Sequence, residues 1–144
     1  MKTTIICSFL ISALLFIAAC SSERTENKGS DEFLKSNFFL YVSNQSFETK
    51  NVDILVKIDN DIVIHGMFGV GDGHNWQEFE FRLAPGKHRI FAFSMLARAE
   101  LERDFEIIDT HYATLNFWYS QEQDYKYKIP TFTFDISDKP GGFV

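Results

Sequence analysis

The sequence predicts an all-β protein, an antiparallel β-sandwich of about eight strands. Three observations carry that expectation. From Asn37 onward, apolar residues recur with period two, the spacing of a strand with one buried face. Turn-forming residues (Asp59-Asn60-Asp61, the glycine-rich 69–75, Pro85-Gly86) punctuate the alternation, as they do in sandwiches. Sixteen Phe, five Tyr and two Trp supply large buried surfaces, enough for a small domain to hold together without a disulfide.

The elements follow in order. Phe38, Leu40 and Val42 alternate with Phe39, Tyr41 and Ser43, so the first strand is apolar on both faces. Val52, Ile54, Val56 and Ile58 alternate with Asp53, Leu55, Lys57 and Asp59, a half-buried strand. Asp59-Asn60-Asp61 turns the chain, because Asn and Asp tolerate left-handed backbone, and 62–68 returns as a hairpin partner. Gly69-Val70-Gly71-Asp72-Gly73-His74-Asn75 is too rich in glycine for a strand interior. Residues 76–83 resume alternation, with Phe79, Phe81 and Leu83 inward. Pro85-Gly86 then marks a β-turn, which predicts 88–94 as the return strand of a hairpin.

Residues 95–109 are ambiguous. Ala97 to Glu102 leans helical by propensity, whereas Phe105-Glu106-Ile107-Ile108 favours a strand over about 100–107. A further strand covers 112–119, with Ala113, Leu115, Phe117 and Tyr119 on one face. A polar loop spans 121–127. The last strand, 128–136, carries Phe132, Phe134 and Ile136 inward, and Pro130 near its start places it at a sheet edge. The stretch Leu83-Ala84-Pro85-Gly86-Lys87-His88-Arg89-Ile90 resembles a turn of immunoglobulin-like and transthyretin-like bacterial domains. The resemblance implies one of those two sandwich classes.

The amino-terminal segment has a different chemistry. Lys2 is the only charge before Glu23, and Ile5 to Ala19 carry no charge, Gly or Pro. This is the pattern of a signal peptide. A helix over 5–19 would reach about 22 Å at ~1.5 Å per residue, short of a ~30 Å hydrocarbon core. It ends in Ile17-Ala18-Ala19-Cys20, which resembles the lipobox of bacterial lipoproteins. The resemblance implies cleavage between Ala19 and Cys20 and lipidation of the Cys20 sulfur. It also implies anchoring in the cell envelope, with Ser21 in place of an Asp pointing to the outer rather than the inner membrane. Two or three acyl chains hold a protein on a membrane almost permanently. Residues 20–36 mix charges of both signs with Gly29 and Ser30 and read as a flexible tether. The acids after Cys20 loosely resemble the export tags of surface lipoproteins, interrupted by Arg24 and Lys28. The expected organisation is therefore a signal peptide over 1–19, a lipidated cysteine and tether over 20–36, the sandwich over 37–137 and a tail over 138–144.

Composition bounds the function. Removing 1–19 takes away Lys2 and no acid, so the mature chain is still more acidic than the net −6 of the whole. Nucleic acid is not an expected partner, since its binding depends on clustered Lys and Arg. The cysteines are Cys7 and Cys20; one leaves with the signal and the other takes lipid, so no disulfide or thiolate metal site is expected. His65, His74, His88 and His111 show neither paired spacing nor an H-E-x-x-H pattern. Asp72 with His74, or Asp59 with Asp61, could share a loop metal, but none resembles an EF-hand loop; no metal and no cofactor is expected.

No G-x-S-x-G is present. Glu78 and Glu80 share a strand face, where solvated carboxylates are the ordinary explanation for what could also be a glycosidase pair. The chain is expected to be non-catalytic. Tyr112, Thr114, Asn116 and Trp118 fall on the outer face of one strand, and Trp76 opens another beside the glycine loop. Trp76, Tyr112, Asn116 and Trp118 are the candidate surface for a ligand or partner. Three roles fit: an accessory module binding an envelope protein, a carbohydrate-binding surface lipoprotein, or an inhibitor whose acidic loops meet a basic host hydrolase.

Overall fold

The structure is a computed structural model, and it describes residues 35–71 and 76–141. The described residues contain eight strands and no helix: β1 (Phe38–Asn44), β2 (Asn51–Ile58), β3 (Asp61–Gly69), β4 (Gln77–Phe81), β5 (Gly86–Ser94), β6 (Ala99–Ile107), β7 (His111–Trp118) and β8 (Thr131–Ser137). They form two four-stranded sheets. Sheet A has the order β4-β1-β7-β8, and sheet B the order β3-β2-β5-β6. The signal peptide, Cys20, most of the tether, Asp72, His74 and the last three residues lie outside the described residues.

The period-two pattern does what it predicted. Phe38, Leu40 and Val42 of β1 and Val52, Ile54 and Val56 of β2 are fully buried between the sheets. Rings cross the interface: Phe38 stacks on Phe105 at 5.0 Å, and Phe105 meets Phe134 at 5.8 Å. Phe68 faces Phe79 at 6.3 Å. Residues 95–109 resolve as a four-residue turn followed by β6. The helical lean of Ala97 to Glu102 loses because Asp53 of β2 captures the turn. Its carboxylate accepts from the Ser94 hydroxyl and from the amides of Met95 and Leu96. Burial works against the Asp53 charge, but those three donors together hold its carboxyl below the usual range.

Three expectations are corrected. First, β4 and β5 do not form a hairpin. β4 pairs with β1, and β5 pairs with β2 and β6, so Leu83 to Ile90 carries the chain from one sheet to the other. The Asn37 side chain accepts from the Leu83 amide and donates to the Leu83 carbonyl. This pins the chain beyond β4 beside the start of β1. Gly86, at φ +127°, supplies backbone that only glycine adopts readily, and the chain enters sheet B. Second, the sandwich is not wholly antiparallel: β1 and β7 run parallel, from Phe38↔His111 to Asn44↔Phe117. Third, Ile136 shares the inward side of β8, opposite Ala113, but is not buried there. Burial fades along β8 from Phe132 (4% exposed) through half-buried Phe134 to Ile136 at 39%, as this edge strand runs past the ring cluster of Phe105 and Phe134.

Placing β1 and β2 in opposite sheets departs from the immunoglobulin-like alternative, whose first two strands share a sheet. β8 lies at a sheet edge, as Pro130 predicted. The β2–β3 turn has positive φ at Asp59 (56°) and not at Asn60, the sign pattern of a type II′ turn.

His88 ties this turn to the sheet crossover. Its Nδ1 lies 2.9 Å from Asp59 Oδ2, and its Nε2 lies 2.8 Å from the Ala84 carbonyl oxygen. Both neighbours are acceptors, so both contacts hold only when the ring carries two protons. The Ala84 carbonyl first, and the Asp59 carboxylate after it, raise the His88 pKa against the opposing effect of burial. The His88 hydrogen bond, with the Arg89 amide next, lowers the Asp59 pKa.

The linkage follows. The His88 contribution is fully present below the ordinary histidine value of about 6.5 and is lost as pH rises through the raised folded value. The Asp59 contribution is present above the ordinary carboxylate value of about 3.9 and is lost as pH falls through the lowered one. Thermal unfolding followed from pH 5 to 9 should therefore show a midpoint that declines on the alkaline side in the native chain and is flatter in His88→Gln. Parallel curves for the two proteins would refute the clamp.

Candidate functional site

The outer face of sheet A collects side chains that can bind. Alternation along β1 and β7 turns Phe39, Tyr41 and Ser43, and Tyr112, Thr114, Asn116 and Trp118, away from the core. Parallel register sets Phe39 beside Tyr112, Tyr41 beside Thr114 and Ser43 beside Asn116. β4 adds Glu78 beside Tyr41 and Glu80 beside Phe39. β8 adds Thr133 beside Asn116, Asp135 beside Thr114 and Ser137 beside Tyr112. The result is a surface of rings, hydroxyls, one amide and carboxylates.

The face has two ends. At one, Phe39 stacks on Tyr112 with centroids 5.1 Å apart and planes 15° apart. The Tyr41 hydroxyl donates to Glu78 Oε1 at 3.2 Å. Burial first, and the Glu78 carboxylate second, raise the Tyr41 pKa, so the phenol stays protonated at neutral pH. Beside these rings lies a cavity of about 180 Å³ lined by Tyr41, Tyr112, Thr114, Asp135 and Ser137, among others.

At the other end a hydrogen-bond network surrounds Asn116. Gln45 Nε2 donates to the Ser43 hydroxyl oxygen at 2.9 Å, and that hydroxyl donates to Asn116 Oδ1 at 2.7 Å. Trp76 Nε1 donates to the same Oδ1 at 2.9 Å. An indole N–H can only donate, which fixes which way round the amide lies. Asn116 is 8% exposed, and its Nδ2 has no acceptor among the described residues. Trp118 Nε1 donates to Thr133 Oγ1 at 2.9 Å, and the Trp118 ring stacks on Tyr127 at 5.5 Å. A second cavity, of about 400 Å³, opens here along β8.

The structure thus brings Trp76, Asn116 and Trp118 together. It places Tyr112 at the far end of the same face, six residues or about 20 Å away at ~3.3 Å per residue. Sequence reasoning missed Tyr41, Thr133, Asp135 and Ser137. Their strands were predicted, but which strands neighbour one another was not. It also missed that Trp118 lies half-buried against Tyr127 of the 119–130 connection. A tyrosine-rich loop following a strand-borne tryptophan was the available signal.

The other chemistry weighed from the sequence is placed as follows. Asp59 commits its carboxylate to His88 and the Arg89 amide. Glu78 serves Tyr41. His111 Nδ1 sits 3.1 Å from the Asp109 carbonyl. Among the described residues, no three His, Cys, Asp or Glu side chains group as metal ligands would. No protein-family model, no curated protein and no solved structure matches the chain. Its class is therefore defined by geometry: a two-sheet sandwich with one polar–aromatic outer face.

The Asn116 network makes a paired prediction. Asn116→Leu leaves the Trp76 indole N–H and the Ser43 hydroxyl without their acceptor, which costs about 1–3 kcal/mol. Asn116→Asp keeps an oxygen for both donors and should stay near native stability. Urea unfolding of the two variants should separate them. Equal destabilisation would remove the network from the account.

Proposed function

We propose that this protein is a lipid-anchored accessory lipoprotein of the cell envelope, non-catalytic, whose sandwich offers the outer face of sheet A to a partner. The observation that carries the anchoring is Ile17-Ala18-Ala19-Cys20 at the end of an apolar segment. A thiolate is the strongest nucleophile available for acyl transfer among ordinary side chains, and the acidic chain that follows has no Lys/Arg cluster with which to hold a membrane by charge. Ser21 favours the outer membrane over the inner one. The partner surface is supported by the concentration of Trp76, Tyr41, Tyr112 and Trp118 around hydrogen-bonding groups, the composition of interface cores.

A carbohydrate ligand is the second reading. It is favoured by the cavity beside Tyr41 and Tyr112, where two rings stand next to Thr114, Asp135 and Ser137. Sugar rings need apolar faces to lie on and both donors and acceptors for their hydroxyls, and these residues supply all three.

The anchoring is tested in cells that process lipoproteins. Membrane-derived protein should begin at Cys20 and exceed the polypeptide mass by its acyl chains, and Cys20→Ala should move the protein to the soluble fraction. An unmodified thiol in membrane-derived material refutes the anchor. For the surface, a photo-crosslinker placed at Thr114 should capture an envelope partner, while one at Glu106 on sheet B should not. Capture from Glu106 alone would move the partner to the other sheet.

A further inference from the structure

We infer that the cavity along β8 is a binding site for a carboxylate-bearing sugar residue, such as a uronic acid unit of a glycan. This rests on the carbohydrate reading of the sheet A face and names its ligand more closely. The argument begins with Asn116. A buried amide ordinarily finds partners for its donors, and here the oxygen is used twice while the Nδ2 hydrogens are used by no described residue. That amide lines a cavity of about 400 Å³, ample for a monosaccharide-sized group.

The other walls give the ligand its character. Arg103 and Lys126 both line the cavity. Arg103 Nη1 donates to the neighbouring Glu102 carbonyl, and Lys126 Nζ rests 4.9 Å from the centre of the Tyr127 ring. Neither has a carboxylate partner among the described residues. The cavity beside His88 and Arg89 differs in this respect, because His88 and Arg89 already hold Asp59, Glu102 and Asp104, and its third cation, Lys87, acts on Asp104 as well. Unpaired cations facing a cavity in an acidic chain point to an anionic ligand. Arg and Lys together give a carboxylate charge-assisted hydrogen bonds, the stronger kind.

A simple anion would need nothing more, yet the remaining walls are built for hydroxyls. Asp135 is an acceptor of two or more O–H donors. Asn116 Nδ2 is a double donor. Thr133 accepts from Trp118 and still has its own proton to give. The Trp118 edge of the cavity adds the apolar surface that the C–H side of a sugar ring requires. A carboxylate, several hydroxyls and a flat apolar side coincide in an acidic monosaccharide.

The test uses the full chain in detergent and titrates it, by calorimetry, with oligogalacturonate, its methyl ester and polyaspartate. The free acid should bind, and esterification should weaken binding about tenfold, the scale of one lost charge-assisted contact. Arg103→Gln and Lys126→Gln, both at exposed positions, should each reduce affinity for the acid severalfold and leave the ester unchanged. Asn116→Asp should weaken both saccharides, with unfolding showing its fold retained. Equal affinity for acid and ester, or acid binding untouched by all three variants, overturns the carboxylate site while leaving a neutral-glycan reading in place. Polyaspartate binding as tightly as the saccharide overturns it too, since the site would then be a charge patch. Absence of any saccharide binding removes the glycan reading with it, and the anchored-accessory reading is decided separately by the crosslinking at Thr114.

Discussion

The structure depends on satisfying a polar segment that the fold buries. Ser43, Asn44, Gln45 and Ser46 follow the apolar part of β1, and all four are at most 5% exposed. Polar groups taken out of water without partners cost several kcal/mol each, so the neighbourhood must be arranged around them. Asn44 Nδ2 donates to the carbonyls of Thr49 and Phe68, joining β1 to β3 in the opposite sheet. Asn44 Oδ1 accepts the Ser46 amide, and Ser46 Oγ accepts the amides of Glu48 and Thr49 while donating to the Tyr119 carbonyl. One tetrapeptide thereby closes the β1–β2 connection, fixes the end of β7 and ties the sheets together. Ser43 extends the same network outward to Asn116. The position of the candidate site is therefore a consequence of how this end of the sandwich is closed.

The remaining architecture is consistent with a domain that relies on its core. β1 is interior to sheet A, with β4 on one side and β7 on the other, and its inner residues are wholly buried. Edge strands expose unpaired backbone and invite wrong pairing. β4 is short and carries Glu78 and Glu80. β6 carries Glu100, Glu102, Asp104 and Glu106, and β8 follows Pro130. β3 has a register irregularity opposite Val56 and Lys57, and bulges protect edges by twisting them. The exposed pairs of Arg89 with Glu102 and Asp104 contribute little stability in water. They answer the charges of Arg89, Glu102 and Asp104 and leave Arg103 of β6 without a carboxylate partner among the described residues.

Much of the fold was legible because period-two alternation is a local signal with one physical cause, burial of one face. It located the strands, their inward residues and the outer-face set Tyr112, Thr114, Asn116 and Trp118. What failed was pairing. Pro85-Gly86 reports that the chain turns, but a hairpin turn and a sheet-to-sheet crossover share that chemistry. The choice was made by Asn37, forty-six residues away from Leu83. Parallel pairing of β1 with β7 leaves no local trace either. Ser43 falls in the alternation of the first strand, and nothing in Asn44 to Ser46 announces that Phe68 and Tyr119 will offer carbonyls to them. The lipobox-like cysteine belongs to a different kind of legibility, since that reading rests on a short linear motif and not on packing.

The contrast between the two outer faces decides where recognition chemistry is best sought. On sheet B, Leu55, Phe91 and Phe93 are half-buried, with Phe91 and Phe93 stacked in line at 6.3 Å. Of the ionic groups on that face, Asp53 is engaged with the β5–β6 turn and Arg89 with its two acids, while Lys57 and Glu100 stand opposite Phe91 and Phe93. The more exposed apolar residues of that side, Met67 on β3 and Met95 and Leu96 in the turn, gather around Asp53, which stands opposite Met67 and accepts the amides of Met95 and Leu96. Sheet A differs in that its polar groups are held in place without being used up. Trp76 and Ser43 orient the Asn116 oxygen and so direct its two donors, and Trp118 orients Thr133 while the proton of that hydroxyl stays free. Groups fixed by their neighbours and still able to bond lose little entropy on meeting a ligand. That pre-organisation distinguishes a recognition surface from a merely polar one, and here it is built from the same network that the closure of the fold requires.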